Sequence, residues 1–513
     1  MCGLVGFIGA GDESILRQMT NLLTHRGPDS SGYYLEKANQ IYIGHRRLIV
    51  LDKNYGTQPM WDNDKNICVV FNGEIYNHKL LRQNLEELGH TFQTSHSDTE
   101  VLVYGWKQWG EKVLNKIDGM FSIGIYDKKN NLLFLARDRF GEKPLYYSAK
   151  KDSFIFGSEI KPILKHPIHQ NTQFSNLSLQ KFFAHGFFPS PHTPFEGIKK
   201  LPPGHLLKIN LQNLSILIKC YWKFELNYQN THKIKDDEWA EELEWLLHQS
   251  VSTRLNSDVP LGIFLSGGLD SSTILACAST KLTNSPINTF SIGFLDKTYD
   301  ETIYAEEIAN LFKTNHKKKY CDFNNAKQLI PNLLSQLDEP VGDPSILPTY
   351  MLCELARKDV TVILSGDGGD ELFAGYDPFK IMTYAKLYNH IMPIKLHQGI
   401  KSFLSFLPHS DNNMSLDFVL RRGLRGLKNE ESLWNPLWHA PMDPEEISEL
   451  FHEPIDQENL FSEVIDVWNE NRKLNIIDQT LLFYTRFYLP ESILTKTDRS
   501  SMLHGLEVRS PML

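Results

Sequence analysis

The spacing of apolar residues changes near residue 205, and this change constrains the fold more than any other feature of the sequence. Before it, short β-type runs such as 67–71 and 121–126 are bounded by Gly, Asn and Asp, as strands usually are. After it, strand-like and helix-like segments alternate, which is typical of a parallel sheet covered by helices. Between the two, residues 188–204 hold five prolines, which end regular structure. A single core stops growing at about 250–300 residues, so 513 residues predict two domains.

We predict a layered α+β domain at residues 1–205, a linker at 206–235 and an α/β parallel-sheet domain at 236–513. In the first domain, amphipathic helices are expected at 14–23 and 79–88 among antiparallel strands. The strands expected in the second domain lie at 261–265, 289–294 and 360–364. The helices expected there lie at 238–251, 271–281, 301–312 and 326–337, and the pattern is mostly helical from residue 376.

Composition excludes several classes of protein. A net charge of -9 argues against nucleic acid or an anionic membrane as the main partner. The six cysteines are scattered without a C-x-x-C pair, so neither a zinc site nor a disulfide framework is expected, and a reducing compartment is favoured. No signal peptide begins the chain, and no window approaches the roughly 18 apolar residues of a membrane span. We therefore expect a cytoplasmic protein.

A glycine-rich segment, SGGLDSS at 266–272, lies between an apolar strand and a helix. Glycines let the backbone approach phosphates, and the Ser hydroxyls and the helix N-terminus attract them. Asp270 would repel phosphate unless a cation lay between them, so the segment predicts Mg²⁺ as well. It matches neither the Walker pattern nor the dinucleotide pattern. An ordinary turn with a Ser cap is the alternative, but the strand–loop–helix context favours a nucleotide site.

A second loop, SGDGGDE at 365–371, also follows an apolar strand. Ligands of α/β sheets bind outside the carboxyl ends of the strands, so both loops could face one Mg-nucleotide. Asp367 and Asp370 are then candidates for metal binding or for polarising a reacting acyl group. The alternative is a tight acidic turn without a ligand.

Cys2 is a candidate nucleophile. Methionine is normally removed before a small residue, so we expect Cys2 to become the N-terminus. Its α-amine, with an ordinary pKa of about 7.7–8.0, could then accept the thiol proton and leave a reactive thiolate. The alternative for Cys2 alone is a buried small residue at the start of a strand.

Polar residues elsewhere in the first half favour the catalytic interpretation. Asn72 and Gly73 end a strand, where a side-chain amide and a backbone N–H can form an oxyanion hole. Arg47 suits bidentate capture of an α-carboxylate, and Asp98 suits an α-ammonium. A thiol with these partners predicts a site for an amino acid with a reactive side-chain acyl group, and glutamine fits.

The motifs that carry these residues resemble known families. MCGLVGF, HRGPDSSG, GHRRL, FNGEIYN and ARDRFGEKPLYY resemble the class II glutamine amidotransferases, and SGGLDSS resembles the ATP pyrophosphatase loop. With LPPGH and YW between them, their order is similar to that of the bacterial B-type, glutamine-hydrolysing asparagine synthetases.

The resemblance implies an N-terminal-nucleophile αββα sandwich followed by an ATP pyrophosphatase domain of the adenine nucleotide alpha hydrolase-like type. Cys2 would form a glutamyl thioester and release ammonia, which would pass through an internal tunnel. The second domain would adenylate aspartate with ATP, and ammonia would displace AMP to give asparagine, alongside pyrophosphate and glutamate. A homodimer is also implied.

The same resemblance, together with the arguments above, gives a set of expected site residues. Those expected in catalysis are Cys2, Asn72, Gly73, Asp367 and Lys496. Those expected to bind glutamine are Arg47, Leu48, Val50, Glu74 and Asp98. Those expected around the nucleotide are Leu265, Ser266, Gly267, Gly268, Asp270, Ser271, Ile292, Ser365 and Gly366. Metal ligation is expected of Asp270 and Asp370, while Asp498 and Arg499 match a region that helps to hold the reacting groups.

Two departures from the family pattern leave alternatives open. The best-known asparagine synthetases carry Glu at the position of Asp367, and the Asp variant resembles a broader branch that includes enzymes amidating sugar acids. The chain ends in LEVRSPML, where the family usually continues, so the second domain is expected to be incomplete at its C-terminal end. The alternatives are amidation of another carboxylate, a glutaminase with an impaired synthetase half, and a non-catalytic scaffold. Intact Cys2 and both loops argue against the scaffold.

Overall fold

The computed structural model describes residues 1–150, 152–227, 234–283, 285–405 and 415–513. Its strands are β1 (Cys2–Ile8), β2 (Ser30–Glu36), β3 (Ile41–Arg47), β4 (Met60–Trp61), β5 (Ile67–Ile75), β6 (Gly119–Asp127), β7 (Leu132–Arg137), β8 (Tyr146–Lys150), β9 (Ser153–Gly157), β10 (Lys199–Lys200), β11 (His205–Asn210), β12 (Ile216–Cys220), β13 (Leu261–Phe264), β14 (Asn288–Phe294), β15 (Asn315–Cys321), β16 (Val362–Leu364) and β17 (Glu507–Arg509).

The helices of the first half are α1 (Glu13–Asn21), α2 (His78–Glu87), α3 (Asp98–Trp109), α4 (Ile160–Lys165) and α5 (Asn176–His185). Those of the second half are α6 (Asp236–Arg254), α7 (Leu269–Ser279), α8 (Thr302–Leu311), α9 (Phe323–Gln336), α10 (Ile346–Arg357), α11 (Gly369–Phe373), α12 (Asp377–Ile391), α13 (Ile394–Ser405), α14 (Leu416–Gly426), α15 (Trp434–His439), α16 (Pro444–Phe451), α17 (Gln457–Leu460), α18 (Ser462–Glu470), α19 (Ile476–Phe483) and α20 (Leu494–Met502). A π-helix, Tyr484–Ile493, joins α19 to α20.

Two antiparallel sheets form the first domain, in the orders β10-β8-β9-β1-β3-β2 and β12-β11-β7-β6-β5-β4. The alternation along β5 shows how they stack. Ile67, Val69 and Phe71 face α2 and α3, whereas Cys68 and Val70 face the other sheet. Helices α1 and α4 cover the outer face of the first sheet. Because each sheet buries both faces, the layers are α, β, β and α, which confirms the predicted sandwich.

The second sheet continues past the boundary drawn from the sequence. Strands β11 and β12 form a hairpin that begins at His205 and otherwise lies in residues 206–235, the predicted linker, and β11 pairs with β7. The proline-rich stretch therefore precedes the last two strands of this sheet and does not end it. Helix α3 was not predicted, because it is buried on nearly all sides and lacks the amphipathic pattern of α1 and α2.

The second domain contains a parallel sheet in the order β15-β14-β13-β16-β17, as the alternating pattern predicts. Ile263 and Leu364 face one apolar cluster and Phe290 and Ile363 face the other, so the central strands are buried on both faces. The short strand β17, which was not predicted, is parallel to β16 at the edge of the sheet. Among the described residues, no helix is long and apolar enough to cross a lipid bilayer.

Buried ion pairs cross the interface between the two domains. Arg26 donates from both terminal nitrogens to Asp498, at 2.8 and 2.9 Å, and also to Glu159 at 3.0 Å. Its Nε donates to the carbonyl oxygen of Cys2 at 3.2 Å. Burial alone would raise the pKa of Asp498, but nearby cations, Arg26 first among them, hold that pKa below its ordinary value. Helix α20 of the second domain is thus tied by charge to the strand that begins the first domain.

Replacing Arg26 with Met should lower the free energy of unfolding by about 3–5 kcal/mol, because it leaves Asp498 buried without its cation. Arg17→Met is the matched control, since Arg17 pairs with Glu13 at the exposed surface. That change should cost about 0–1 kcal/mol. Thermal unfolding of both variants measures the difference, and equal losses would contradict a special role for the interface pair.

Candidate active sites

Cys2 begins β1 and lies opposite Arg47 of β3 in the antiparallel register. Its backbone N–H donates to Oδ1 of Asn72 at 2.8 Å. Burial raises the pKa of the Cys2 thiol, and the positive charges of the N-terminus and Arg47 oppose this only in part. A base or a charged substrate is therefore needed to generate the thiolate.

Met1 occupies the space next to this thiol. Its ammonium group donates to Oε2 of Glu507 at 2.8 Å, and its carbonyl oxygen accepts from the backbone N–H of Leu48 at 3.1 Å. Removal of Met1 would turn the nitrogen of Cys2, which faces Asn72, into the α-amine expected as the base. That removal stays a prediction.

Gly73 lies beside Cys2 in the wall of the first pocket. It pairs with Phe121 of β6, and a Cβ atom here would overlap the carbonyl oxygen of Met120. Only glycine therefore allows β5 and β6 to come this close. The Asn72 side chain is buried between Cys2 and Ser122, whose Oγ accepts from its Nδ2 at 3.3 Å.

Arg47 is held in place by backbone carbonyls. Its Nη2 donates to the carbonyl oxygens of Leu51 and Asp52, at 2.9 and 2.7 Å. A side chain at Gly56 would overlap the guanidinium, so this glycine makes room for it. The fixed fork at the pocket wall suits capture of a carboxylate.

Two buried carboxyls, those of Glu74 and Asp98, line the same pocket as Arg47. Burial raises the pKa of Glu74 and of Asp98. Oδ2 of Asp98 accepts from the backbone N–H of Ile75 at 3.2 Å, whereas Oε1 of Glu74 is buried without a hydrogen-bond partner among the described residues. An unpartnered buried carboxylate oxygen is costly unless a donor reaches it, and an ammonium group would satisfy it.

The first pocket brings together nearly all the residues predicted for glutamine. The predicted residues that line it are Cys2, Arg47, Leu48, Val50, Gly73, Glu74 and Asp98. Asn72 reaches it through Cys2. Lining residues that the sequence analysis missed include Gln58, Thr99 and Glu507. Glu507 comes from the second domain, and no local pattern in the sequence could have placed it here.

A cavity of about 680 Å³ lies at the carboxyl ends of β13, β14 and β16. The predicted nucleotide residues that line it are Leu265, Ser266, Gly268, Asp270, Ser271, Ile292, Ser365 and Gly366. Gly267 does not line it. Its φ of 83° lies in the left-handed region, and a Cβ atom would be 2.5 Å from the backbone nitrogen of Ala305. Gly267 therefore shapes the loop against α8 instead of facing the ligand.

The two glycine-rich loops meet in this cavity, as predicted. Gly366 and Gly369 lie against Asp270, and a Cβ atom at Gly369 would overlap its carboxylate. Burial, and then the charge of Asp370, raise the pKa of Asp270. A divalent cation between these carboxylates would relieve both effects, so the pair fits a metal. No group of three or more metal-ligating side chains occurs in the described part of the chain, so phosphate oxygens or water would supply the other ligands.

Helix α20 presents residues to both the cavity and the domain interface. Nζ of Lys496 donates to Oδ2 of Asp343 at 3.1 Å and to Oγ of Ser345 at 2.8 Å. The Thr497 hydroxyl donates to Oδ2 of Asp367 at 2.9 Å. These contacts hold Lys496 and Asp367 in the cavity wall. Thr497 and Asp343 were missed, since only the fold joins them to the second loop.

Asp498 and Arg499, expected near the reacting groups, lie outside the cavity. Asp498 pairs with Arg26, while Arg499 contacts Glu159 at 3.1 Å and donates to the Tyr146 hydroxyl at 2.9 Å. The turn of the helix directs these two side chains to the first domain and directs Lys496 and Thr497 to the cavity.

Comparison with known proteins matches both halves of the chain. The family described as "Glutamine amidotransferase domain" matches residues 1–222, and the family described as "Asparagine synthase" matches residues 242–513. Asparagine synthetase [glutamine-hydrolyzing] 1 of Bacillus subtilis is 32% identical over 100% of this chain and 79% of its own length. Putative asparagine synthetase [glutamine-hydrolyzing] 2 of Methanocaldococcus jannaschii is 35% identical over 98% of each. A solved glutamine phosphoribosylpyrophosphate amidotransferase of B. subtilis aligns with 71% of this chain and 82% of its own, at 14% sequence identity and a TM-score of 0.33.

Gly267→Ala should weaken ATP binding at least about tenfold, because the added methyl strains a left-handed residue and meets the backbone of α8. Gly399→Ala in α13 is the matched control, since a Cβ atom there meets nothing within 4 Å. Equilibrium dialysis with labelled ATP measures both variants. Unchanged affinity in Gly267→Ala would contradict the shape assigned to the loop.

Proposed function

The chain belongs to the glutamine-hydrolysing asparagine synthetases, and from this premise we propose how its two sites make asparagine from aspartate, ATP and glutamine. The first pocket hydrolyses glutamine. The larger cavity activates aspartate, and ammonia connects the two reactions. The observation that carries this assignment is the presence of both sites in one chain, with the glutamine pocket lined by residues from both domains.

In the first pocket, Arg47 binds the α-carboxylate of glutamine, while Glu74 and Asp98 bind its α-ammonium. The thiolate of Cys2 attacks the side-chain amide carbon, and the amide nitrogen leaves as ammonia after accepting a proton. Asn72 and Gly73 stabilise the oxyanion of the tetrahedral intermediate. Water then hydrolyses the thioester and releases glutamate. Leu48 and Val50 form the apolar wall of this pocket.

Ammonia passes between the sites along an apolar cluster at the domain interface. The cluster includes Val50 beside the glutamine pocket and Val362 of β16, which leads into the second loop of the ATP cavity. Met120 of the first domain and Met502 of the second domain also belong to this cluster. An apolar lining favours neutral ammonia over ammonium, so the nitrogen stays nucleophilic.

In the second site, the loops at 266–271 and 365–370 surround ATP, with Leu265 and Ile292 beside the nucleotide. The β-carboxylate of aspartate attacks the α-phosphorus and pyrophosphate leaves. Ammonia then attacks the acyl carbon and AMP leaves. Lys496 stabilises the charge that develops on the phosphate, and Asp367 orients the acyl group.

Mg²⁺ completes the nucleotide site in this proposal. Asp270 and Asp370 would hold it, and it would neutralise phosphate charge during pyrophosphate release. A cytoplasmic location, where cysteines stay reduced, fits the six free cysteines. A homodimer follows from the family resemblance alone.

Cys2→Ala should reduce glutamine-dependent asparagine formation at least about a thousandfold, because the covalent route is lost. The rate with ammonium salts should stay within twofold of the unmodified enzyme, since the second site is untouched. Chromatographic assay of asparagine from aspartate and ATP measures both rates.

Cys68→Ala is the matched control, because Cys68 is buried in the same domain but outside the pocket. It should retain both activities. Persistent glutamine use by Cys2→Ala would contradict the assigned nucleophile. Failure of the unmodified enzyme to form asparagine even from ammonia would favour another acceptor carboxylate.

A further inference from the structure

Arg509 ends β17 in the second domain, yet its side chain lies beside the glutamine pocket of the first. The side chain is fully buried. Its Nη2 lies 3.3 Å from Oε2 of Glu74, and its Nε donates to Oε1 of Glu507 at 2.8 Å. Nη1 donates at 2.7 Å to each of two carbonyl oxygens, those of Arg254 and Asn256. The guanidinium therefore has one fixed orientation between two carboxylates.

We propose that Arg509 is a positioning residue for glutamine hydrolysis, which holds the Glu74 carboxyl in the place needed to bind the α-ammonium of glutamine and supplies a positive charge that favours its ionised form. The inference rests on the function proposed for the first pocket. Arg509 does not line that pocket and acts through Glu74, which does.

Burial of Glu74 without a cation would favour its neutral form, which binds an ammonium group poorly. The charged groups that face Glu74 are Arg509, Asp98, Glu507 and the N-terminal ammonium. Asp98 and Glu507 disfavour its charge. The N-terminal ammonium is that of Met1, which lies 2.8 Å from Glu507 and is lost when Met1 is removed, as the proposed mechanism requires. Arg509 is thus the main fixed cation that supports the ionised form of Glu74, while Oε1 of Glu74 remains free for the substrate among the described contacts.

The backbone of Arg509 links this carboxylate to the ATP cavity. Arg509 pairs with Leu364 in the parallel register of β17 and β16. Its carbonyl oxygen accepts from the backbone N–H of Ser365 at 2.9 Å. Ser365 is the first residue of the second nucleotide loop. One residue thus fixes the start of that loop through its backbone and a glutamine-binding carboxylate through its side chain.

Arg509→Met tests the proposal. The KM for glutamine should rise at least about tenfold, the size expected when a charge-assisted contact is weakened. The rate with saturating ammonium salts should stay within threefold, because the backbone contact to Ser365 does not need the side chain. In the pH profile of kcat/KM for glutamine, the fall on the acid side should also move to higher pH, since Glu74 then ionises less readily. A glutamine KM within twofold of the unmodified enzyme would overturn the proposal.

Lys181→Met is the matched control. Lys181 is also buried, and it forms an ion pair with Glu463, which is distant from it in the sequence. It lines neither site. This variant should keep the glutamine KM and the pH profile. An equal rise in its KM would show that loss of any buried ion pair has the same effect, and would overturn the special role of Arg509.

A double mutant separates action through Glu74 from a general structural effect. Glu74→Gln alone should raise the glutamine KM, and adding Arg509→Met should change it by less than twofold. If the KM of the double mutant rose by the product of the two single increases, the proposal would be overturned, since independent residues behave in that way. If the unmodified enzyme did not hydrolyse glutamine at all, the function assigned to the pocket would fail, which is a distinguishable result.

Arg509→Lys decides the question if Arg509→Met does not fold, which loss of both ammonia-dependent synthesis and a cooperative thermal unfolding transition would show. Lysine keeps the cation but replaces the fork with one ammonium group. We expect ammonia-dependent synthesis within threefold and a glutamine KM raised at least threefold. A KM within twofold of the unmodified enzyme would overturn the requirement for the guanidinium.

Discussion

Buried ion pairs between the two domains are the interactions on which both sites depend. Arg26 joins the first strand to α20, and Arg509 joins β17 to the glutamine pocket. Charges removed from water in this way are stable only when their partners are in place, because an unpaired buried charge costs several kcal/mol. The geometry of the glutamine pocket is therefore conditional on the folded second domain. The glutamine pocket is not the property of one domain alone, because Glu507 of the second domain lines it.

The last elements of the chain, α20 and β17, serve both reactions. Lys496 and Thr497 face the ATP cavity, and the next residue of the helix, Asp498, forms an ion pair with Arg26. From β17, nine residues after Asp498, Glu507 lines the glutamine pocket. Two residues later, Arg509 contacts Glu74 through its side chain and Ser365 through its backbone. Such short segments are rigid because their backbone bonds are used within the helix or the sheet. They can therefore hold groups of the two sites at a constant separation, as the proposed transfer of ammonia requires.

The sequence predicted the parts of this arrangement that are local. Glycines and acids after a strand, as in 266–272 and 365–371, have a direct physical meaning, and both loops meet around one cavity. The hairpin of β11 and β12 was missed because a proline run suggested a domain boundary, and α3 was missed because a helix buried on all sides has no periodic polar face. Glu507 and Arg509 could not be placed at all, since they reach the pocket from more than 400 residues away in the chain.

The central claim is that the two sites act as one enclosed system. Its most direct test is asparagine synthesis from glutamine labelled with ¹⁵N in the side-chain amide, in the presence of an equal concentration of unlabelled ammonium. The account predicts that the asparagine amide stays predominantly ¹⁵N, because ammonia passes through the apolar cluster at Val50 and Val362 without mixing with solvent. Dilution of the label to the ratio of the bulk solution would contradict it.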